Sequence, residues 1–334
     1  MFVADMHCDT ISKILESRKS GDKKGQNLRK NTFHIDLEKM KQGDYLIQNF
    51  AMYINLHETE NPFEECMNMI DVFYCEMEAN NDLIAPAKSY KDIVKNQGDG
   101  KISGLLTIEE GGVCQGNLAF LRDFYRLGVR MMTLTWNFGN EIGFPNVYQT
   151  KTGDEIFYGL PDTEQGLTPF GIELIQEMER LGMIVDVSHL SDAGFYDVAM
   201  YAKKPFVASH SNARAICRHT RNLTDDMIRK LAQCGGVMGI NFEPKFLNVS
   251  MPDEKVHATI QQVVEQIKHI AFVAGTACIG LGSDFDGIAD NDELLNASFL
   301  PKLEDALWMA GFGQEEIEGI FYKNIMRIYK EILK

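Results

Sequence analysis

Positive charge is scarce in this sequence. Its 33 Lys and Arg stand against 48 Asp and Glu, for a formal net charge of -15. Such a surface repels phosphate backbones and anionic headgroups, so nucleic acid and membrane surfaces are disfavoured as partners. Long apolar runs are missing too, and no stretch reads as a bilayer span. Cysteine is limited to seven residues, with no C-x-x-C spacing. An odd, scattered set argues against a disulfide framework and against a cysteine zinc knuckle. Cys66, Cys75, Cys114, Cys217, Cys234 and Cys278 read as small hydrophobes or surface thiols. No Pro/Gly/Ser-rich linker and no low-complexity tract interrupts the chain. The motif beginning near His7 leaves no room for a signal peptide, and IFYKNIMRIYKEILK reads as an amphipathic helix rather than a lipid anchor. The expectation is a cytoplasmic protein with one domain over residues 1–334, ending in a helical segment from about 299 to 334.

What is present is a large core and a repeating rhythm. Hydrophobic residues make up 45% of 334 positions. Short apolar runs read as strands near Phe2–Met6, Leu46–Ile54, Ile102–Ile108, Val129–Leu134, Met183–Val187, Phe206–Ser209, Val237–Asn241 and Cys278–Leu281. Helical patterns lie between most of them, including PFEECMNMIDVFYCEMEAN, PFGIELIQEMERLG and HATIQQVVEQIKHIAFVAG. The Gly of ERLGM and of VAGTA follows the last helical turn, as a C-cap should. Alternating strands and helices predict parallel β/α units, and eight strands predict a closed (β/α)8 TIM-type barrel. Two segments break the rhythm. SRKSGDKKGQNLRKNTFH is basic and polar and reads as a mobile loop. NFGNEIGFPNVYQTKTGDEIFYGLPDTEQG is a long connection at a strand end, where barrel active sites are built.

The strand ends carry the chemistry. The first ends in His7 and Asp9, which share a face because side chains alternate along a strand. LLTIEEGG supplies Glu109 and Glu110, IVDVSHLS supplies His189, and FVASHSNA supplies His210. IGLGSDFDG supplies Asp284 and Asp286. In a barrel all these ends converge on one face. Buried charges of one sign are costly unless a cation compensates them, so the set points to divalent metal. Imidazole with carboxylate suits zinc, with manganese and iron as the other candidates.

These residues resemble the renal, or membrane, dipeptidase family of metal-dependent amidohydrolase-type barrels. The resemblance rests on D-x-H-x-D at Asp5–Asp9, E-G-G at Glu110–Gly112 and D-V-S-H at Asp186–His189. It also rests on S-H-S at Ser209–Ser211, R-N-L at Arg221–Leu223 and G-S-D-F-D-G at Gly282–Gly287. It implies two metal ions, with zinc expected. His7 and Asp9 are expected on the first ion, and His189 and His210 on the second. Glu110 is expected to bridge them, because the family's glutamate directly precedes the two glycines. That puts Glu109 in a supporting or outward position, with Asp286 also supporting. Arg221 resembles the substrate-carboxylate anchor, and Asp284 the catalytic acid/base. A homodimer is also implied. One departure stands out: the run TLTWN places Trp136 where better-known members carry a histidine, so Trp136 is expected to shape the substrate side.

The expected function is hydrolysis of dipeptides with a free C-terminal carboxylate. The alternatives are a related amidohydrolase acting on N-acyl amino acids, cyclic amides or lactones, and an inactive metal-binding homologue. Single residues also have other readings. Arg221 could pair with Asp225 or Asp226, Asp284 could cap a helix, and Trp136 could be a rim aromatic.

Overall fold

Strand pairing in the computed structural model closes a parallel barrel. Residues 1–21, 26–146, 150–151, 154–155, 160–248 and 256–334 are described. The strands are β1 (Val3–Asp5), β2 (Tyr45–Tyr53), β3 (Ile84–Pro86), β4 (Ile102–Glu109) and β5 (Val129–Thr133). A two-residue antiparallel pair follows, β6 (Thr150–Lys151) and β7 (Asp154–Glu155). Then come β8 (Ile184–Asp186), β9 (Val207–Ala208), β10 (Val237–Ile240) and β11 (Ile279–Leu281). The main sheet runs β2-β1-β11-β10-β9-β8-β5-β4, and β2 pairs again with β4 to close an eight-strand ring. These eight coincide with the eight strands expected from the sequence. The unexpected β3 pairs only with the first half of β4.

Strand β4 shows how the sequence sorts its faces. In ISGLLTIE the positions Ile102, Leu106 and Ile108 join the large core between barrel and helices. The alternate positions Ser103, Leu105, Thr107 and Glu109 belong to the other face, and Leu105 packs in the barrel interior with Ala4, Met131, Ile184, Val207 and Val237. That interior also contains Ile325, Ile328, Tyr329 and Ile332 of the helix Asn324–Ile332. The Tyr329 hydroxyl donates to Asn49 Oδ1 on β2 at 2.8 Å, and both residues are buried. The amphipathic C-terminal segment therefore plugs the barrel, leaving the opposite, C-terminal strand ends for chemistry.

The helices begin and stop where local chemistry requires. Asn61, Thr168, Ser191 and Thr224 each accept a backbone N–H of the following first turn. Gly182 ends the helix Pro169–Leu181 at φ +89°, a conformation that costs a residue with a Cβ. Of the two irregular segments, residues 22–25 of the basic stretch and parts of the connection after Trp136 lie outside the described residues. The rest of the basic stretch is tied down: His34 N–H donates to Asp286 Oδ1, and Asp286 N–H donates to His34 Nδ1. Among the described residues no helix is long and apolar enough to cross a membrane.

Candidate metal centre and active site

Buried side chains from five strand ends meet at the barrel mouth. His7 and Asp9 follow β1, Glu109 ends β4, His189 follows β8, His210 follows β9 and Asp284 follows β11. Glu109 lies between two groups. Its Oε2 is 3.3 Å from His7 Nε2, which in turn is 3.5 Å from Asp9 Oδ2. Its Oε1 is 3.0 Å from His189 Nε2 and 3.4 Å from His210 Nε2. Asp284 Oδ1 approaches His7 Nε2 at 3.8 Å.

Outer partners orient these ligands. Asp186 is fully buried and accepts from Thr133 Oγ1, Ser188 N–H, Ser209 N–H and Ser209 Oγ–H. Since the Ser209 proton goes to that carboxylate, Ser209 Oγ accepts from His210 Nδ1 at 2.7 Å. His189 Nδ1 likewise donates to Asn137 Oδ1 at 3.0 Å. Both Nε2 atoms then present lone pairs toward Glu109, and they lie only 3.1 Å apart. At β1, buried Asp5 plays the part of Asp186, accepting from Ser283 N–H, Ser283 Oγ–H and His7 N–H.

The set is electrostatically incomplete as protein alone. Two facing imidazole lone pairs and a carboxylate oxygen repel one another. His7 Nδ1, His7 Nε2 and Asp9 Oδ1 are buried without a hydrogen-bond partner. Burial and the Glu109 charge push Asp9 up to about 6. Gly287 keeps the space open, for a Cβ there would lie 2.2 Å from Asp9 Oδ2 and 2.7 Å from Asp284 Oδ1. A cation would relieve the facing imidazole and carboxylate lone pairs, and the donors fit: His7 with Asp9 and Glu109, Glu109 with His189 and His210, and His7 with His210 and Asp284 each come close enough to hold one.

The expected residues fall into place unevenly. His7, Asp9, His189, His210 and Asp284 come together. Glu110, expected as the bridge, does not join them. Its carboxylate accepts from Gly112 N–H, Trp136 N–H and the Asn140 amide, on the far side of the chain from Glu109. The physical reason is strand alternation: adjacent residues point to opposite faces, and Glu109 has the inward one. Burial pushes the Glu110 carboxyl up to about 7. Asp284 starts no helix; Asn241 Nδ2–H donates to its Oδ2 at 2.8 Å. Asp286 accepts from Thr10 Oγ1–H and His34 N–H. Arg221 is buried, donates to the His210 carbonyl at 3.1 Å and lies 5.4 Å from the Phe246 ring centroid. Asp225 and Asp226 are engaged with His269 and Tyr196. Asn137, Asn241 and Tyr53 escaped the sequence reading. Each is an ordinary polar residue whose role depends on a neighbour distant in sequence.

Four residues here have left-handed backbones: Glu110 (φ +108°), His189 (+69°), Asp284 (+62°) and Asp286 (+71°). Such conformations cost about 1–3 kcal/mol each and cluster where a side chain must be re-aimed at a strand end. Above the carboxylates opens a cavity of about 380 Å³. Asp9, Glu109, His189 and Asp284 line its floor side, with Tyr53, Trp136, Asn137, His219, Glu243 and Phe246 among its other walls. That volume suits a small molecule.

Comparison with known proteins agrees with this geometry. The family model for membrane dipeptidase, peptidase family M19, matches residues 1–334. An uncharacterized dipeptidase of Schizosaccharomyces pombe is 36% identical over 318 residues, covering 90% of this chain and 72% of that one. A dipeptidase of Claviceps purpurea is 30% identical over 309 residues, covering 90% and 69%. The crystal structure of dipeptidase AC, an M19 metallo peptidase, superposes with a TM-score of 0.88 at 27% identity, covering 100% of this chain and 99% of that one. A Rhodobacter sphaeroides metallo peptidase, liganded with a phosphinate mimic of the dipeptide L-Ala-D-Ala, gives 0.88 at 25% identity with the same coverage. With a buried His/Asp/Glu cluster at the mouth of its barrel, the chain belongs to the membrane dipeptidase family, peptidase family M19, and is a metallo-dipeptidase.

Proposed function

We propose that the chain cleaves dipeptides bearing a free C-terminal carboxylate at a binuclear centre, with zinc as the ion. The observation that carries this reading is the Glu109 carboxylate, whose two oxygens face two different ligand sets. His7 and Asp9 would hold one ion, His189 and His210 the other, and Glu109 both. Imidazole with carboxylate is a donor set suited to zinc. When bound, such a pair acidifies a water and polarises a carbonyl.

The remaining work falls to the chain's own residues. Asp284 Oδ2 is occupied by the Asn241 amide, so Oδ1 is the oxygen turned to the mouth. Burial holds its carboxyl well above the ordinary range, and Asp9 and Glu109 add to the effect. That suits a group which takes the proton from the attacking water and delivers it to the leaving amine. The water oxygen bonds to the scissile carbon, the C–N bond breaks, and the proton ends on the amine nitrogen. Arg221 is proposed to bind the substrate's C-terminal carboxylate. Its guanidinium is held by the His210 carbonyl and the Phe246 face, and a pre-oriented fork suits charge-assisted, bidentate bonds. Trp136 is proposed as a wall of the substrate pocket. Its backbone is fixed by Glu110, and its indole packs edge-on against Tyr53 and Phe138. The dipeptide mimic bound by the Rhodobacter sphaeroides relative supports a substrate of this size.

Elemental analysis combined with a dipeptide screen tests the reading. Two ions per chain are expected, with turnover lost on chelation and restored by zinc. Stoichiometric loading with one ion, or turnover of N-acyl amino acids but no dipeptide, would refute it.

A further inference from the structure

We propose that Tyr53 sets the size of the N-terminal residue that the site accepts. This inference rests on the dipeptidase reading above, with the substrate carboxylate at Arg221. Tyr53 is the last residue of β2 and is in register with Glu109 on β4. Register partners on parallel neighbours share a face, so Tyr53 turns toward the mouth as Glu109 does. It lines the catalytic cavity, and its ring meets the Trp136 indole edge-on at 5.0 Å.

The ring order gives the direction of the substrate. Counting round β2-β1-β11-β10-β9-β8-β5-β4, β2 and β9 stand diametrically opposite. Arg221 belongs to the segment after β9. A dipeptide with its carboxylate there, and its scissile bond over Glu109 and Asp284, sends its N-terminal residue toward β2. That path ends at Tyr53.

Beyond Tyr53 lies a second cavity of about 220 Å³. It shares Ser12, Glu16 and Tyr53 with the catalytic cavity, and continues past Leu15, Ile54 and Met69. Tyr53 has the largest of the three shared side chains. Its ring therefore limits how far an N-terminal side chain can extend from one cavity into the other. Small N-terminal residues fit in front of it, and bulky ones collide with it.

The test uses the metal-loaded full chain with two series, X-Ala and Ala-X, where X is Ala, Leu or Phe. Tyr53→Ala should raise kcat/KM for Phe-Ala relative to Ala-Ala by about tenfold or more, the scale of a gained apolar contact in a pocket. The ratio of Ala-Phe to Ala-Ala should stay where it is in the wild type. Tyr53→Phe keeps the ring and should leave both ratios unchanged. Tyr53→Leu serves as the second opening variant if the Ala variant does not fold, with metal content and Tm measured for each. An unchanged X-Ala ratio in a folded, metal-loaded Ala or Leu variant would overturn the assignment. So would a shift confined to the Ala-X series. A wild-type enzyme that cleaves no dipeptide would instead overturn the underlying reading, an outcome visible before any variant is made.

Discussion

Glu109 and Glu110 are neighbours in the chain whose carboxylates serve different places. Glu109 lies within 3.4 Å of three imidazole nitrogens at the mouth. Glu110 turns away and pins the next loop through Gly112, Trp136 and Asn140. The left-handed backbone at Glu110 accompanies this divergence. One glutamate faces the candidate metal centre and the other fastens the segment that carries Trp136.

Opposite outcomes follow for the two. Glu109→Gln removes the shared negative charge, so metal content and turnover should fall together. Glu110→Gln should keep its metal. Glu110→Ala orphans buried N–H donors, each worth about 1–3 kcal/mol, and should lower Tm while elemental analysis still finds metal. Metal lost from the Glu110→Gln protein and retained in Glu109→Gln would reverse the assignment.

The barrel was legible because hydrophobic periodicity is a local signal. Each of the eight strands appears as its own short apolar run. The alternation Ile102-Ser103-Gly104-Leu105-Leu106-Thr107-Ile108-Glu109 holds the signal that turns Glu109 to the mouth, although the expectation settled on Glu110. The apolar set Ile102, Leu106 and Ile108 marks the helix-facing side, which leaves Glu109 inward. The family motif, read by its distance from the glycines, selects Glu110, whose carboxylate turns to Gly112, Trp136 and Asn140 instead of the imidazoles. What no local pattern encodes is partnership across the barrel. Asn137 meets His189, Asn241 meets Asp284, and Tyr53 aligns with Glu109, only once the ring has closed. Strand β3 carries a different obstacle: Ile84-Ala85-Pro86 has one large apolar residue and ends in a proline, which argues against a strand.

Asp284→Asn should retain both stability and metal while losing turnover. Its Oδ2 already accepts from Asn241, and an amide can keep that bond. What it cannot do is carry a proton. General acid-base catalysis is worth about 10² to 10⁴ in rate, so kcat should fall within that range. A kcat near the wild-type value, at full metal content, would remove Asp284 from the chemistry.

Acid stability offers a check away from the site. Glu177 accepts from Arg180 Nε at 2.6 Å, Arg180 Nη2 at 2.8 Å and Arg122 Nη1 at 3.0 Å, joining two outer helices. The Arg180 hydrogen bonds, with Arg122 adding, pull its carboxyl from the usual 4.5 down to about 2. A carboxyl lowered by folding stabilises the protein above its unfolded value and loses that contribution as pH falls through the folded one. Glu177→Gln should therefore melt below the wild type at pH 7. The gap should narrow as pH drops from about 4.5 toward 2, where the wild-type group also becomes neutral. Both arginines are partly exposed, so salt should shrink the gap. A Tm difference that does not change with pH would exclude the ion pair as its source.

Arg221 is the residue whose proposed role can be tested from the substrate side. Its guanidinium is buried beside the site, anchored on the His210 carbonyl. If it reads the C-terminal carboxylate, amidating a good dipeptide should reproduce the effect of Arg221→Ala on kcat/KM. Hydrogen bonds to charged groups are worth about 1.5–3 kcal/mol, or more than tenfold. The two losses should also fail to add: Arg221→Ala should barely distinguish the free acid from the amide, because the contact that told them apart is gone. Arg221→Lys keeps the charge without the planar fork, and should recover only part of the discrimination. Equal wild-type rates on the free and amidated dipeptides would show that the guanidinium does not touch the carboxylate. Arg221 would then be a structural cation holding the His210 loop, and its Ala variant would lose activity equally on both substrates.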